Sequence, residues 1–267
     1  MYAEDPGAAN YLSGLPQALA ERGLRVVTFA AGTALEMLGA SVPDLHPYPS
    51  SPAVEIIRQV RPRVLVVGTA EDPATPGLAL VAAARAEGIP TVGAVDGLPS
   101  AAHRFRGGSA VPLAYAPDRI VVPDDATRAA FLELGCTPGR VFVCGHPHFD
   151  TVIEARDRLD RVGRSALRAA GSIRADGRLV VVFAAEISSG LDPTQYRKRP
   201  EYTLSGRGTS QARTEIVLEE FLDAVAGIRP RPYLVLRLHP KNEPGELDGY
   251  RTAFDHVSAG PGLHELL

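Results

Sequence analysis

The sequence predicts an α/β protein of two domains, each built on a parallel sheet, and three observations lead there. Two apolar runs, Arg140–Pro147 (RVFVCGHP) and Tyr233–Pro240 (YLVLRLHP), end in the same His-Pro dipeptide. Each is a short apolar run and reads as a strand buried on both faces, the pattern of parallel sheets. Strand and helix signals alternate through the first half, the rhythm of βα units wound with right-handed crossovers. Finally, 267 residues suit one large domain or two of moderate size, and the usual domain length of roughly 100–200 residues leans to two.

The elements follow in order. Met1 to Ala3 reads as the tail of a strand ending in the polar turn Glu4 to Asn10, with a helix from Tyr11 to Arg22 stopped by Gly23. A strand at Arg25–Ala30, a short helix near Thr33–Leu38 and an extended piece near Leu45–Tyr48 come next. Ser51-Pro52 opens a helix with proline near its first turn. Arg63–Gly68 is a strand, Pro76–Glu87 a helix stopped by Gly88, and Pro90–Val95 a strand. Arg119–Val122, a helix at Asp124–Leu134 closed by Gly135, and Val141–Cys144 complete the first set. An Arg- and Asp-rich helical connector spans Phe149–Ala170, and Gly171–Gly177 reads as a linker. The second set has a strand at Leu179–Ala184, a polar loop over Ile187–Thr209, an amphipathic helix at Gln211–Ala226, the Tyr233–Leu238 strand and a weaker helix near Glu246–Val257. The expected division is 1–150, a connector over 151–177, and 178–267. Both ends look cut short: a three-residue opening strand and only two clear strands in the second half are few for a covered parallel sheet.

Composition narrows the classes of function. Apolar content of 45% and charged content of 22% are those of a globular protein. A net charge of -3 argues against general affinity for nucleic acid or anionic membrane. No apolar run approaches the roughly 18–20 residues that span a bilayer, and no secretory leader is visible. Cys136 and Cys144 have neither a metal-binding spacing nor a disulfide framework, and Cys144 reads as a small core residue of its strand. A reducing cytoplasm is the expected compartment. Of 28 basic residues, only Lys198 and Lys241 are lysines.

The segment Pro117–Val152 (PDRIVVPDDATRAAFLELGCTPGRVFVCGHPHFDTV) resembles the close of the N-terminal domain in GT-B glycosyltransferases. It is most similar to the branch of UDP-N-acetylglucosamine 2-epimerases and CDP-glycerol glycerophosphotransferases, with Asp118, Gly135, Val141, Gly145, Pro147 and Asp150 at the matching positions. Leu236–Glu243 (LRLHPKNE) resembles the donor-side His-Pro motif of the same group. The resemblance implies two Rossmann-like domains with a cleft between them, an N-terminal acceptor domain and a C-terminal nucleotide-donor domain that is incomplete here. It also implies a nucleotide-activated donor, UDP- or CDP-linked, as substrate, with no tightly bound cofactor.

Candidate chemistry sits where buried parallel strands end, since open α/β sheets bind ligands at their carboxyl edge. Glu4, Asp5 or Asp96 could be the general base that deprotonates an acceptor hydroxyl. Gly7 would let the backbone approach substrate, and Asn10 could position it, although Asp and Asn are also favoured helix N-caps. His103, Arg104 and Arg106 adjoin Asp96 and could touch an anionic acceptor. His239 and Lys241 could hold a nucleotide phosphate, with Pro240 keeping the imidazole extended at the strand end. Glu243 could grip ribose hydroxyls. Ser188, Ser189 and Gly190 form a small polar turn suited to phosphate, and the Arg197, Lys198, Arg199 and Arg207 loop could close over a diphosphate or stand solvated. His146, with His148 two residues on, fits a hinge or donor contact better than a metal, for want of further ligands.

The expected function is transfer of a sugar or polyol-phosphate unit from a nucleotide donor to a hydroxyl acceptor. The alternatives are a UDP-sugar 2-epimerase on the same scaffold, which would expel UDP and re-add it, or a non-catalytic nucleotide- or glycan-binding protein. An epimerase needs carboxylates and histidines ringed around the sugar, more than the sequence alone displays. An undecaprenyl-linked acceptor would require a peripheral membrane contact.

Overall fold

The computed structural model describes residues 1–39, 41–70, 72–98, 100–170, 173–187, 197–242 and 245–259. The chain divides into two compact units, Met1–Val152 and Ile153–Leu267.

The first unit is a seven-stranded parallel sheet. Its elements are β1 (Tyr2–Ala3), α1 (Pro6–Leu12), α2 (Leu15–Ala20), β2 (Thr28–Ala30), α3 (Gly32–Gly39), β3 (Leu45–Pro47), α4 (Ala53–Val60), β4 (Leu65–Gly68), α5 (Pro76–Ala86), β5 (Thr91–Ala94), β6 (Arg119–Val122), α6 (Asp125–Glu133) and β7 (Val141–Val143). The strand order is β3-β2-β1-β4-β5-β6-β7, with Tyr2 paired to Phe29 on one side and Val67 on the other. Successive side chains of β1 serve opposite faces, as the pleat requires. Ala3 joins Ala8, Leu12 and Leu38 in one cluster, and Tyr2 joins Ile57, Val67 and Val81 in another. Local chemistry sets the helix ends. Asp124 accepts the Thr127 N–H at 2.7 Å to start α6, and Gly135 closes it at φ +95°.

The second unit holds a three-stranded parallel sheet of order β10-β9-β8, from β8 (Val180–Ala184), β9 (Tyr233–Arg237) and β10 (His256–Ser258). The helices α7 (His148–Val162) and α8 (Arg164–Ala170) precede it, parted by Gly163 at φ +83°. All five residues of β9 are buried, between Ile173 and Ala175 on one face and α9 (Arg213–Ala226), through Leu218 and Leu222, on the other.

Several expectations are corrected. The segment read as a polar turn before Tyr11 is helical from Pro6, because Asp5 takes the extended N-cap conformation and Pro6 suits the first helical position. The expected Tyr11–Arg22 helix is two short ones, α1 and α2. The strand ending in Cys144 is not buried on both faces: β7 is an edge strand, Phe142 and Val143 are 45% and 43% exposed, and Cys144 is exposed. The weaker helix near Glu246–Val257 is a 3-10 turn at Asp248–Ala253 followed by a third strand, β10.

Asp255 ties the second sheet together. It accepts the Leu234 N–H at 2.9 Å and pairs with Arg231 at 3.0 Å and Arg178 at 3.4 Å. Burial pushes its carboxyl up, but the Leu234 bond and the two guanidinium groups outweigh that and hold it below the usual range. A carboxyl lowered in the folded state stabilises above its unfolded value, and that contribution is lost as pH falls through the folded value. We therefore expect thermal stability to fall on acidification below about pH 4, and Asp255→Asn to flatten that dependence while lowering stability at pH 7.

Candidate functional site

The first sheet changes winding direction at β1, whose neighbours are β2 and β4. Loops leaving β1 and β4 therefore diverge and leave a crevice at the carboxyl edge. Asp96 lies there, two residues past β5. Its Oδ1 accepts from Thr69 Oγ1 at 3.3 Å and pairs with Arg104 Nη1 at 3.2 Å, and the same Nη1 donates to Thr69 at 3.1 Å. Both charged side chains are largely buried, at 16% and 21% exposure for Arg104 and Asp96. The first turn of α1 presses against this carboxylate: a Cβ at Gly7 would stand 1.7 Å from Asp96 Oδ2. Gly68 permits the same approach from below, since its Cβ would meet the Ala8 Cβ at 2.5 Å. Both glycines are needed because backbone must approach closely.

Glu4 directly follows β1. Its Oε2 accepts from Tyr2 OH at 2.9 Å and from Thr75 Oγ1 at 2.5 Å. Burial, with the Glu4 charge beside it, pushes the Tyr2 phenol far up, so it stays a donor. Asp5 is the N-cap of α1, yet its side chain makes no capping hydrogen bond. Asn10 lies in the second turn of α1, where its carbonyl accepts from Ser13; no described contact links its amide to Asp96.

His146 follows β7. Its ring stacks on Phe149 at 4.7 Å between centroids and meets the edge of Tyr11 at 4.8 Å. Its Nδ1 is buried without a hydrogen-bond partner among the described residues. Burial, then His148, lowers its pKa, while Asp96 acts in the opposite sense. Tyr11 donates to the Gly145 carbonyl at 3.0 Å, and burial, with Cys144 and Asp96 nearby, pushes its phenol up to about 12. Asp96 thus acts electrostatically on both aromatic groups.

In the second unit the His-Pro turn after β9 is built by Asn242, which the sequence reading passed over. Its Oδ1 accepts the His239 N–H at 2.6 Å, and its Nδ2 donates to the Glu186 carbonyl at 3.3 Å. The Lys241 N–H donates to His239 Nδ1 at 3.1 Å, which assigns the proton of the neutral ring to Nε2. Ser188, Ser189, Gly190 and Glu243 lie outside the described residues. Arg207 is held against α9, pairing with Asp223 at 2.8 Å and donating its N–H to Glu219 at 2.6 Å.

The structure therefore gathers Gly7, Asp96 and Arg104, and sets Glu4 and His146 at the same edge. Sequence reading missed Thr69, Thr75, Tyr2 and Tyr11. The available signals were local, in Thr69 directly after a buried strand and in Tyr2 two residues before Glu4, whereas Thr75 and Tyr11 act through long-range contacts. Among the described residues no group of three or more His, Cys, Asp or Glu could hold a metal ion, and no helix is long and apolar enough to cross a membrane.

No protein-family model matches the chain, and no curated protein matches it in sequence. Solved structures do match. The UDP-N-acetylglucosamine 2-epimerase of Neisseria meningitidis, bound to UDP-N-acetylglucosamine, superposes with a TM-score of 0.64 at 13% identity, over 99% of this chain and 73% of that one. The Methanocaldococcus jannaschii enzyme of the same name, in complex with UDP-N-acetylglucosamine and UDP, gives 0.63 at 12% identity over 99% and 74%. S. aureus MnaA with UDP gives 0.62 at 14% over 97% and 67%. At such identities the likeness speaks for the fold. The chain has the GT-B fold of two Rossmann-like domains, in the form similar to UDP-N-acetylglucosamine 2-epimerases, as the motifs at Pro117–Val152 and Leu236–Glu243 led us to expect.

Proposed function

We propose that the chain is an enzyme acting on a UDP-linked sugar, and that its reaction is 2-epimerisation rather than the transfer to a hydroxyl acceptor expected first. The observation that carries this reading is the gathering of ionisable groups at one carboxyl edge: Glu4, Asp5, Asp96 with Arg104, and His146. Inverting a sugar carbon requires a C–H bond to break and re-form, so a carboxylate must take a proton and a proton must return. In this reading the proton leaves C2, the C1–O bond breaks with its electron pair departing on UDP, and UDP re-adds at C1 while a proton is delivered to the opposite face of C2, which gives the 2-epimer. The fold likeness to 2-epimerases supports the same choice.

In the same proposal Gly7 lets α1 come up to the substrate, and Asn10 lines its approach. His146 offers its Nδ1 to the ligand. His239 and Lys241 take the nucleotide phosphates, Glu243 the ribose, and Ser188, Ser189 and Gly190 the diphosphate. No resident cofactor is invoked, and the setting is a cytoplasm that supplies nucleotide sugars.

Incubation with UDP-N-acetylglucosamine and no acceptor, followed by proton NMR, tests this directly. We expect the 2-epimer to accumulate, with Asp96→Asn, which weakens the hold on substrate, slower by about 100-fold. Gly7→Ala, which displaces the Asp96 carboxylate, should cost about 100-fold with the fold retained. Turnover that depends on an added hydroxyl acceptor would return the assignment to a transferase. Binding without turnover would leave a binding protein.

A further inference from the structure

We propose that Glu4 is the carboxylate that takes the C2 proton from substrate, and that Tyr2 and Thr75 are its positioning residues. This rests on the epimerase reading above and assigns its proton-transfer step.

Glu4 is held from two directions. Its carbonyl accepts the Ala34 N–H of α3 at 3.0 Å, and Gly32, at φ +52°, lies so close that a Cβ there would stand 3.3 Å from that carbonyl oxygen. Its side chain is fixed by the Tyr2 and Thr75 hydroxyls, both on Oε2. Tyr2 is 1% exposed and Thr75 5%, whereas Glu4 itself is half-buried at the strand end. Two buried hydroxyls therefore serve one partly open carboxylate. Thr75 also caps α5, accepting the Gly77 N–H at 3.2 Å while donating to Glu4. Donor hydroxyls that hold one oxygen orient the carboxylate without placing a cation on it. Asp96 is arranged differently, with the Arg104 guanidinium directly on its Oδ1. That contrast separates two roles: a fixed proton acceptor in Glu4, and a charge-paired group in Asp96 suited to holding substrate. Proton transfer rewards this fixing, because the acceptor must lie within hydrogen-bond reach of the proton it takes. In the step, the C2–H bond breaks, its proton passes to Glu4, its electrons form the C1–C2 double bond, and the C1–O electrons leave on UDP.

The test is turnover of UDP-N-acetylglucosamine in deuterium oxide, with deuterium at C2 read by NMR. In wild type we expect deuterium wash-in. In Glu4→Gln it should fall by about 100-fold or more, with UDP binding unchanged by calorimetry. Tyr2→Phe and Thr75→Val should each lower kcat about 10-fold and leave KM in place. Thr75→Ser, which keeps the hydroxyl, should restore the rate. A purely structural role would instead move thermal stability and leave kcat untouched. An active wild type whose Glu4→Gln variant still exchanges deuterium overturns this role alone. A wild type inert towards the sugar nucleotide overturns the epimerase reading, and this role with it.

Discussion

Parallel pairing of β1 with both β2 and β4 is the constraint from which the first unit is built. Parallel neighbours must be joined by crossovers, so every strand delivers its carboxyl end to the same edge. At β1 the winding reverses, and the loops on either side part. A strand of two residues thereby decides where ionisable side chains can gather. It also explains the glycines beside it. α1 must lie across the opened edge, and it reaches that position only because Gly68 yields space to Ala8 and Gly7 yields space to Asp96.

The groups at this edge are held by neighbours rather than left to solvent. Asp96, Thr69 and Arg104 form a closed triangle. Glu4 is fixed through its main chain and by two hydroxyls. His146 is gripped by aromatic faces that leave its Nδ1 buried and unanswered by any described residue. A buried polar atom without a partner costs free energy, and a ligand that supplied the partner would recover it. The second unit repeats the scheme on a smaller sheet, where Asn242 ties the His239 turn to the loop after β8.

Much of this was legible in the sequence where a signal is local. The apolar runs of β8 and β9, the helix starting near Asp124 and the glycine stops report on their own neighbourhood. Glu4, Asp96, His146 and His239 were placed correctly at strand ends because position along a βα unit sets the sheet edge. The failures share a cause. An apolar run records hydrophobicity and not position in the sheet, so the edge strand β7 read as central and Cys144 as core. Pro6 and Gly7 read as a turn, although proline also begins helices and Gly7 answers to Asp96, 89 residues away by numbering. β10 is three residues long and half-polar, too short for periodicity to register. Tyr2 read only as part of the opening strand, although Glu4 lies two residues on; the Thr75 grip on Glu4 spans 71 residues and leaves no mark in a sequence window.

The central claim is that this carboxyl edge takes a nucleotide-linked sugar. Isothermal titration of the intact chain with UDP and with UDP-N-acetylglucosamine tests it most directly. The account predicts saturable binding of both below about 1 mM, with the sugar nucleotide bound more tightly than UDP alone. No heat from either ligand at millimolar concentration would contradict it.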